Sequence, residues 1–210
     1  MKKSKLYIGE KDKIFLAGHK GLVGNSVLKK LKSNGYKKII VASKKKLNLL
    51  NQDKVSKFIK KTKPNAIIIC AAKVGGVNAN NTFKADFIYE NMTIQNNLIN
   101  AGFKEKVERL VFLGSSCIYP AKSKQPIKES YLLTGPLEKT NDAYAIAKIS
   151  GIKYCQSLNE QYNKNYICLM PTNIFGKNDN YNLLNSHFIP ALIRKIHTAI
   201  NKKRTFIEVW

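Results

Sequence analysis

The chain has 210 residues, 44% of them apolar, which suits one large domain, or one domain and part of a second. Its formal charge of +24 first suggests nucleic acid or an anionic surface as partner. Only three of the 37 basic residues are arginine (Arg109, Arg194, Arg204), however, and the lysines are spread along the whole length, so the charge reads mainly as surface composition that also attracts anionic ligands.

Residues 14–17 (Ile-Phe-Leu-Ala) read as a short buried strand. The run Gly18-His19-Lys20-Gly21-Leu22-Val23-Gly24 follows, then a helical pattern over 22–31 closed by Asn34-Gly35. Glycines between a strand and a helix let backbone amides approach a pyrophosphate at the helix N-terminus, so this turn is a candidate nucleotide site. A tight turn without a ligand is the plain alternative. Residues 38–42 read as a second strand. At its end an acid that would bond the ribose 2′-hydroxyl is missing, and Ser43-Lys44-Lys45-Lys46 stands there instead. A cation suits a 2′-phosphate, so Lys44, assisted by Lys20, predicts NADP(H) rather than NAD.

Further along, a helix is expected at 55–61, a strand at 66–71, a long helix at 85–101 and a strand at 109–113. Leu113, Gly114, Ser115, Ser116 and Cys117 then stand at the carboxyl end of a strand, where open α/β sheets bind ligands. A hydroxyl there can bond a carbonyl and a thiol can move a proton. A loop is expected over 118–141, with Pro120, Pro126 and Pro136. The next helix, 142–162, carries Tyr144 and Lys148, four residues apart on one face. A phenol with its reference pKa near 10 donates poorly until its anion is stabilised, and an adjacent ammonium favours that anion. A strand at 166–170 comes last. Strands alternating with helices imply an α/β, doubly wound parallel sheet, a Rossmann fold. His187 alone is a weak signal, as are His19 and His197.

Cys70, Cys117, Cys155 and Cys168 form no C-x-x-C pair and no metal-ligand spacing, so no metal is expected, and all but Cys117 read as buried thiols. No apolar run approaches the roughly 18 residues that span a bilayer. The lysine-rich start has no apolar stretch after it, so it is not a secretory signal, and a reducing cytoplasm is the default expectation.

Taken together these residues resemble the extended short-chain dehydrogenase/reductases, and within them the GDP-L-fucose synthase family. The segments that carry the resemblance include Ala17-Gly-His-Lys-Gly-Leu-Val-Gly24, Ala71-Ala-Lys-Val-Gly-Gly-Val77, Ala79-Asn-Asn-Thr82, Asp86-Phe-Ile-Tyr-Glu-Asn91, Phe112-Leu-Gly-Ser-Ser-Cys-Ile-Tyr-Pro120, Tyr144-Ala-Ile-Ala-Lys148, Met170-Pro-Thr-Asn173 and Asn185-Ser-His187. The resemblance implies NADPH-dependent 3,5-epimerisation and 4-reduction of GDP-4-keto-6-deoxy-D-mannose to GDP-L-fucose. It assigns Ser115, Tyr144 and Lys148 to reduction, with Lys148 lowering the tyrosine pKa, and Cys117 and His187 to acid/base work at C3 and C5. Leu113, Gly114, Ser116, Pro171, Thr172, Asn173, Ile174 and His187 match cofactor contacts, and Lys195 and Trp210 match substrate contacts. A homodimer through the helices at 86–101 and 144–162 is also implied.

Members of that family are longer. Residues 13–180 are expected to form the NADP-binding domain with the catalytic residues, and 181–210 the start of a truncated substrate-binding region. Two other readings stay open: another nucleotide-sugar epimerase or reductase, and a non-catalytic NADP-binding module. A nucleic-acid binder driven by charge alone has no recognisable reader motif to support it.

Overall fold

A computed structural model describes residues 8–183 and 185–209. Its centre is a five-stranded, all-parallel sheet in the order β2-β1-β3-β4-β5. The strands are β1 (Ile14–Ala17), β2 (Ile39–Ile40), β3 (Ala66–Ile69), β4 (Arg109–Leu113) and β5 (Asn165–Leu169). The helices are α1 (Leu22–Ser33), α2 (Gln52–Thr62), α3 (Val77–Thr82), α4 (Lys84–Lys104), α5 (Asp142–Tyr162) and α6 (Phe188–Asn201). The doubly wound architecture read from the alternation of elements is therefore the one observed.

Apolar runs make the strands, and burial on both faces explains why β1 shows no alternation: all four of its residues are buried. Phe15, Ile67, Leu110 and Phe112 sit in the core with Ile99, Ile152 and Leu158. Helices α2, α4 and α5 pack side by side on one face of the sheet. The chain moves from β1 to β2 in one direction and from β2 through β3 to β5 in the other. Right-handed crossovers therefore send α1 to the opposite face, and the connections diverge at the ends of β1 and β3. That divergence opens the crevice that holds the site.

Helix α5 can approach the sheet because Gly151 lies on it. A methyl group there would meet the Phe112 ring at 2.7 Å and the Gln95 side chain at 2.8 Å. Gln95 is 2% exposed and donates from Nε2 to the Ala147 carbonyl at 2.5 Å and the Ser150 hydroxyl at 2.9 Å, tying α4 to α5.

Several expected bounds shift. Strand β2 is shorter than 38–42, since it pairs only with β1. Helix α2 begins at Gln52, because the Asn51 side chain accepts from the Lys54 amide at 2.8 Å and caps it. The short helix α3 was not expected at all, and neither was α6. Of the three cysteines expected to be buried, Cys155 is, whereas Cys70 and Cys168 are half-buried, each at the end of a strand or on an edge strand. Residues 118–141 are a loop, as expected, with a 3-10 turn at Glu129–Tyr131; a second such turn, Ser116–Ile118, leads into it, and the Gln125-Pro126 peptide bond is cis.

Candidate active site

The crevice is a cavity of about 810 Å³ at the carboxyl ends of the strands. Its floor is the glycine turn. Gly18 has φ +87°, and a Cβ there would meet the Ala71 amide nitrogen at 2.6 Å, so only glycine lets the end of β1 lie against the end of β3. A Cβ at Gly24 would run into the Gly18 carbonyl. Gly21 is different, because nothing lies within 3.6 Å of where its Cβ would be. Its bare backbone caps α1 with no side-chain hydrogen bond, and the first turn holds no acidic residue. The cradle that a Cβ would fill, the N-terminal amides of α1 and the lysines Lys20 and Lys44 on the same cavity wall together fit an anionic dinucleotide.

The same cavity is lined by Gly114, Ser115, Tyr144, Pro171, Thr172, Asn173, Ile174 and His187. Residues far apart in the chain thus meet at one cavity, although Cys117 and Lys148 are not part of its lining. Leu113 and Ser116 contribute through the backbone: the Leu113 carbonyl accepts from Lys148, and the Ser116 amide donates to the Pro171 carbonyl at 3.2 Å. Burial lowers the His19 pKa, and neighbouring Lys20 lowers it further, so the ring is neutral near pH 7. Lys195 lies outside this cavity, on α6, where its ammonium donates to the Glu208 carbonyl at 2.7 Å. Trp210 lies outside the described residues.

Ser115 is the hub of the chemistry. Its Oγ accepts from the Cys117 thiol at 3.1 Å and pairs with the Tyr144 phenol. Beneath them Lys148 is 3% exposed and donates from Nζ to the Leu113 carbonyl at 2.8 Å. The ammonium also lies 4.8 Å from the centre of the Phe112 ring and 5.6 Å from that of Tyr144.

The electrostatics correct one expectation. Burial pushes the Tyr144 phenol up, Cys117 adds to the rise, and the bond to Ser115 only partly offsets it. Lys148, aimed at a backbone carbonyl, does not depress it. Burial instead lowers Lys148 itself to about 8, against the pull of Cys117 and Cys70. Burial likewise raises the Cys117 thiol, opposed by Ser115 and Lys148. The phenol and the thiol therefore both hold their protons at neutral pH.

The structure adds residues that sequence reasoning passed over. Lys73, Asn80, Glu90 and Asp179 line the cavity, and Phe87 meets Tyr144 edge to face with ring centres 6.3 Å apart. Lys73 pairs with Glu90 at 2.6 Å, and its backbone amide and carbonyl bond the Asn91 side chain at 2.9 and 3.0 Å. No short-range signal marks this bracket, since the helix that carries Asn80 was not expected and the burial of Asn80 and Asn91 is set by the fold. Among the described residues no group of His, Cys, Asp and Glu is placed to hold a metal ion. No helix among them is long and apolar enough to cross a membrane.

The model of the NAD dependent epimerase/dehydratase family matches residues 14–209. The chain belongs to this family. Among epimerase-family relatives it is 50% identical to GDP-L-fucose synthase of Sinorhizobium fredii, over 98% of this chain and 65% of that protein. It is 47% identical to GDP-L-fucose synthase of Escherichia coli, over 95% of this chain and 62% of that protein. A solved GDP-L-fucose synthetase from Naegleria fowleri bound to NADP superposes with a TM-score of 0.86 at 30% identity, covering 97% of this chain and 67% of that one. The chain thus spans 62–65% of the length of these two curated relatives.

Proposed function

We propose that the protein is an NADPH-dependent epimerase/reductase of a GDP-linked 4-keto sugar, converting GDP-4-keto-6-deoxy-D-mannose to GDP-L-fucose. The observation that carries this reading is the Ser115 hydroxyl, which lines the crevice with Tyr144, the glycine turn and His187, pairs with the Tyr144 phenol and accepts from the thiol of Cys117, a residue that does not itself line the cavity. Reducing a ketone needs one proton donor. A second pair of proton-moving groups beside it is what inverting carbons next to that ketone requires. The names of the relatives at 47–50% identity support the same substrate.

When bound, reduced nicotinamide supplies the hydride for C4. Gly18, Gly21 and Gly24 with the first amides of α1 would hold the pyrophosphate, Lys44 and Lys20 the 2′-phosphate, and residues 171–174 the nicotinamide side. Tyr144 delivers its proton to the C4 oxygen, and burial keeps that proton in place until it is needed. The resulting phenolate is met by the Ser115 hydroxyl and the nearby Lys148 ammonium. Before reduction, the same donors at the C4 oxygen stabilise an enolate, which makes the C3 and C5 protons acidic. Cys117 and His187 exchange those protons with solvent. This work needs Cys117 reduced, consistent with a cytoplasmic location.

A second reading is favoured by GDP-L-colitose synthase of Yersinia pseudotuberculosis, 40% identical, and a Campylobacter jejuni GDP-D-glycero-L-gluco-heptose synthase, TM-score 0.88 at 40% identity: the sugar is a different GDP-linked one. Turnover separates the two. With NADPH and GDP-4-keto-6-deoxy-D-mannose the complete protein consumes the cofactor, Tyr144→Phe slows this about 10²–10⁴-fold, and Cys117→Ser slows deuterium uptake at C3 and C5. Consumption only with another GDP-linked keto sugar moves the assignment to the second reading, and none with any of them rejects both.

A further inference from the structure

We infer that Gly76 is a positioning residue for His187, acting through the backbone of Asn185 and Ser186; the inference rests on the acid/base reading of His187 above. His187 is exposed and belongs to a stretch, Asn182 to His187, whose described residues are mostly exposed as well, so its own packing does little to place it. What meets that stretch from the sheet side is the turn after β3. The Gly76 amide donates to the Asn185 carbonyl at 3.0 Å. A Cβ at Gly76 would collide with the Ser186 carbonyl oxygen, one residue before His187. Gly76 has φ −66° and ψ 179°, which any residue adopts, so the need for glycine here is for close approach and not for backbone freedom.

The turn itself has little room to yield. Asn80, 8% exposed, donates from Nδ2 to the Gly75 carbonyl at 2.7 Å and the Gly76 carbonyl at 3.1 Å. Both partners are acceptors, which dictates the orientation of the amide. At the other end Asn91, 2% exposed, grips the Lys73 backbone from α4. A Cβ at Gly75 would meet Ala79 at 2.9 Å, so the turn also has α3 at its back. A methyl group at position 76 must therefore move the Ser186 carbonyl, and His187, the N-cap residue of α6, moves with it. Tyr144 stands on α5, Ser115 and Cys117 follow the end of β4, and none of the three is among the atoms that a Cβ at Gly76 would meet first.

The test compares Gly76→Ala with His187→Asn in the complete protein. Deuterium uptake from solvent at C3 and C5 of the keto sugar is measured beside NADPH affinity and melting temperature. Misplacing a proton-transfer group by about 1 Å costs up to roughly 10²-fold, so uptake in Gly76→Ala should fall about 10–100-fold while the NADPH Kd changes less than about threefold. Wild-type uptake in Gly76→Ala, with uptake lost in His187→Asn, overturns the positioning role and leaves the acid/base reading standing. Parallel loss of uptake and cofactor affinity overturns it too, since that is what general damage to the fold does. Unchanged uptake in His187→Asn overturns the acid/base reading and this inference with it. Should Gly76→Ala not fold, Asn80→Ala removes the brace and keeps the glycine. A several-fold loss of uptake at constant NADPH affinity supports the role, and unchanged uptake refutes it.

Discussion

Lys148 carries the largest electrostatic cost in the site. Its ammonium is 3% exposed, has one backbone carbonyl as hydrogen-bond acceptor, and its pKa falls from 10.5 to about 8. Because the folded value lies below the unfolded one, the unfolded chain binds the proton more tightly. The penalty is therefore present in full below about pH 8, and stability rises with pH between about 8 and 10.5 as the penalty is relieved. A shift of that size corresponds to about 3 kcal/mol near pH 7. Lys148→Met should accordingly raise the urea midpoint at pH 7, less about 1 kcal/mol for the lost bond to Leu113, and abolish ketone reduction. The gain should shrink as the pH approaches 10. A gain that is independent of pH would show that the lysine is not the source of the cost. A buried charge kept at the expense of stability is what a proton-handling site requires.

Two glycines in the turn between β1 and α1 do different work. Gly18 holds a backbone conformation unfavourable to side chains and lies against Ala71, just past the end of β3, so Gly18→Ala strains the fold itself, by about 1–3 kcal/mol. A Cβ at Gly21 would meet only the Gly18 carbonyl oxygen, at an unstrained 3.6 Å, and Gly21→Ala should leave the melting temperature within about 2 °C while weakening NADPH binding at least about tenfold, because its methyl group occupies the phosphate cradle. Fluorescence titration against thermal melts separates the two effects. Equal destabilisation by both variants would mean that the turn is structural throughout. On α5 the division is similar, with Tyr144 and Lys148 facing the cavity side while Gly151 lets the helix come close enough to deliver them.

For the whole molecule, the packed helices α4 and α5 still expose Tyr89 (65%), Ile146 (46%) and Tyr162 (50%). We propose that these apolar groups on a paired helical layer meet a second copy of the same layer, in a two-fold dimer. Ile146→Asp should shift the protein to a monomer in sedimentation velocity without a change in NADPH affinity. A wild-type protein that sediments as a monomer at micromolar concentration would remove the dimer. The charge of +24 belongs to this scale as well, since it adds a general attraction for anionic nucleotides but no recognition.

Local chemistry made much of this legible from the residues alone. The glycine turn, the strand that ends at Leu113 just before Ser115 and the helix Asp142–Tyr162 all announce themselves within a few residues, because turns, strand ends and helical spacing are short-range matters. Their alternation was enough to imply the parallel sheet. Contacts between distant segments had no such signal. The seat of Ser186 on Gly76, the grip of Asn91 on Lys73 and the arrival of His187 in the crevice depend on how β3, α3 and α4 are brought against the stretch before α6. The protonation of Tyr144 and Lys148 was misread for the same reason. Four-residue spacing places a cation beside a phenol, but burial decides which of them pays for its charge, and burial exists only once the chain is folded.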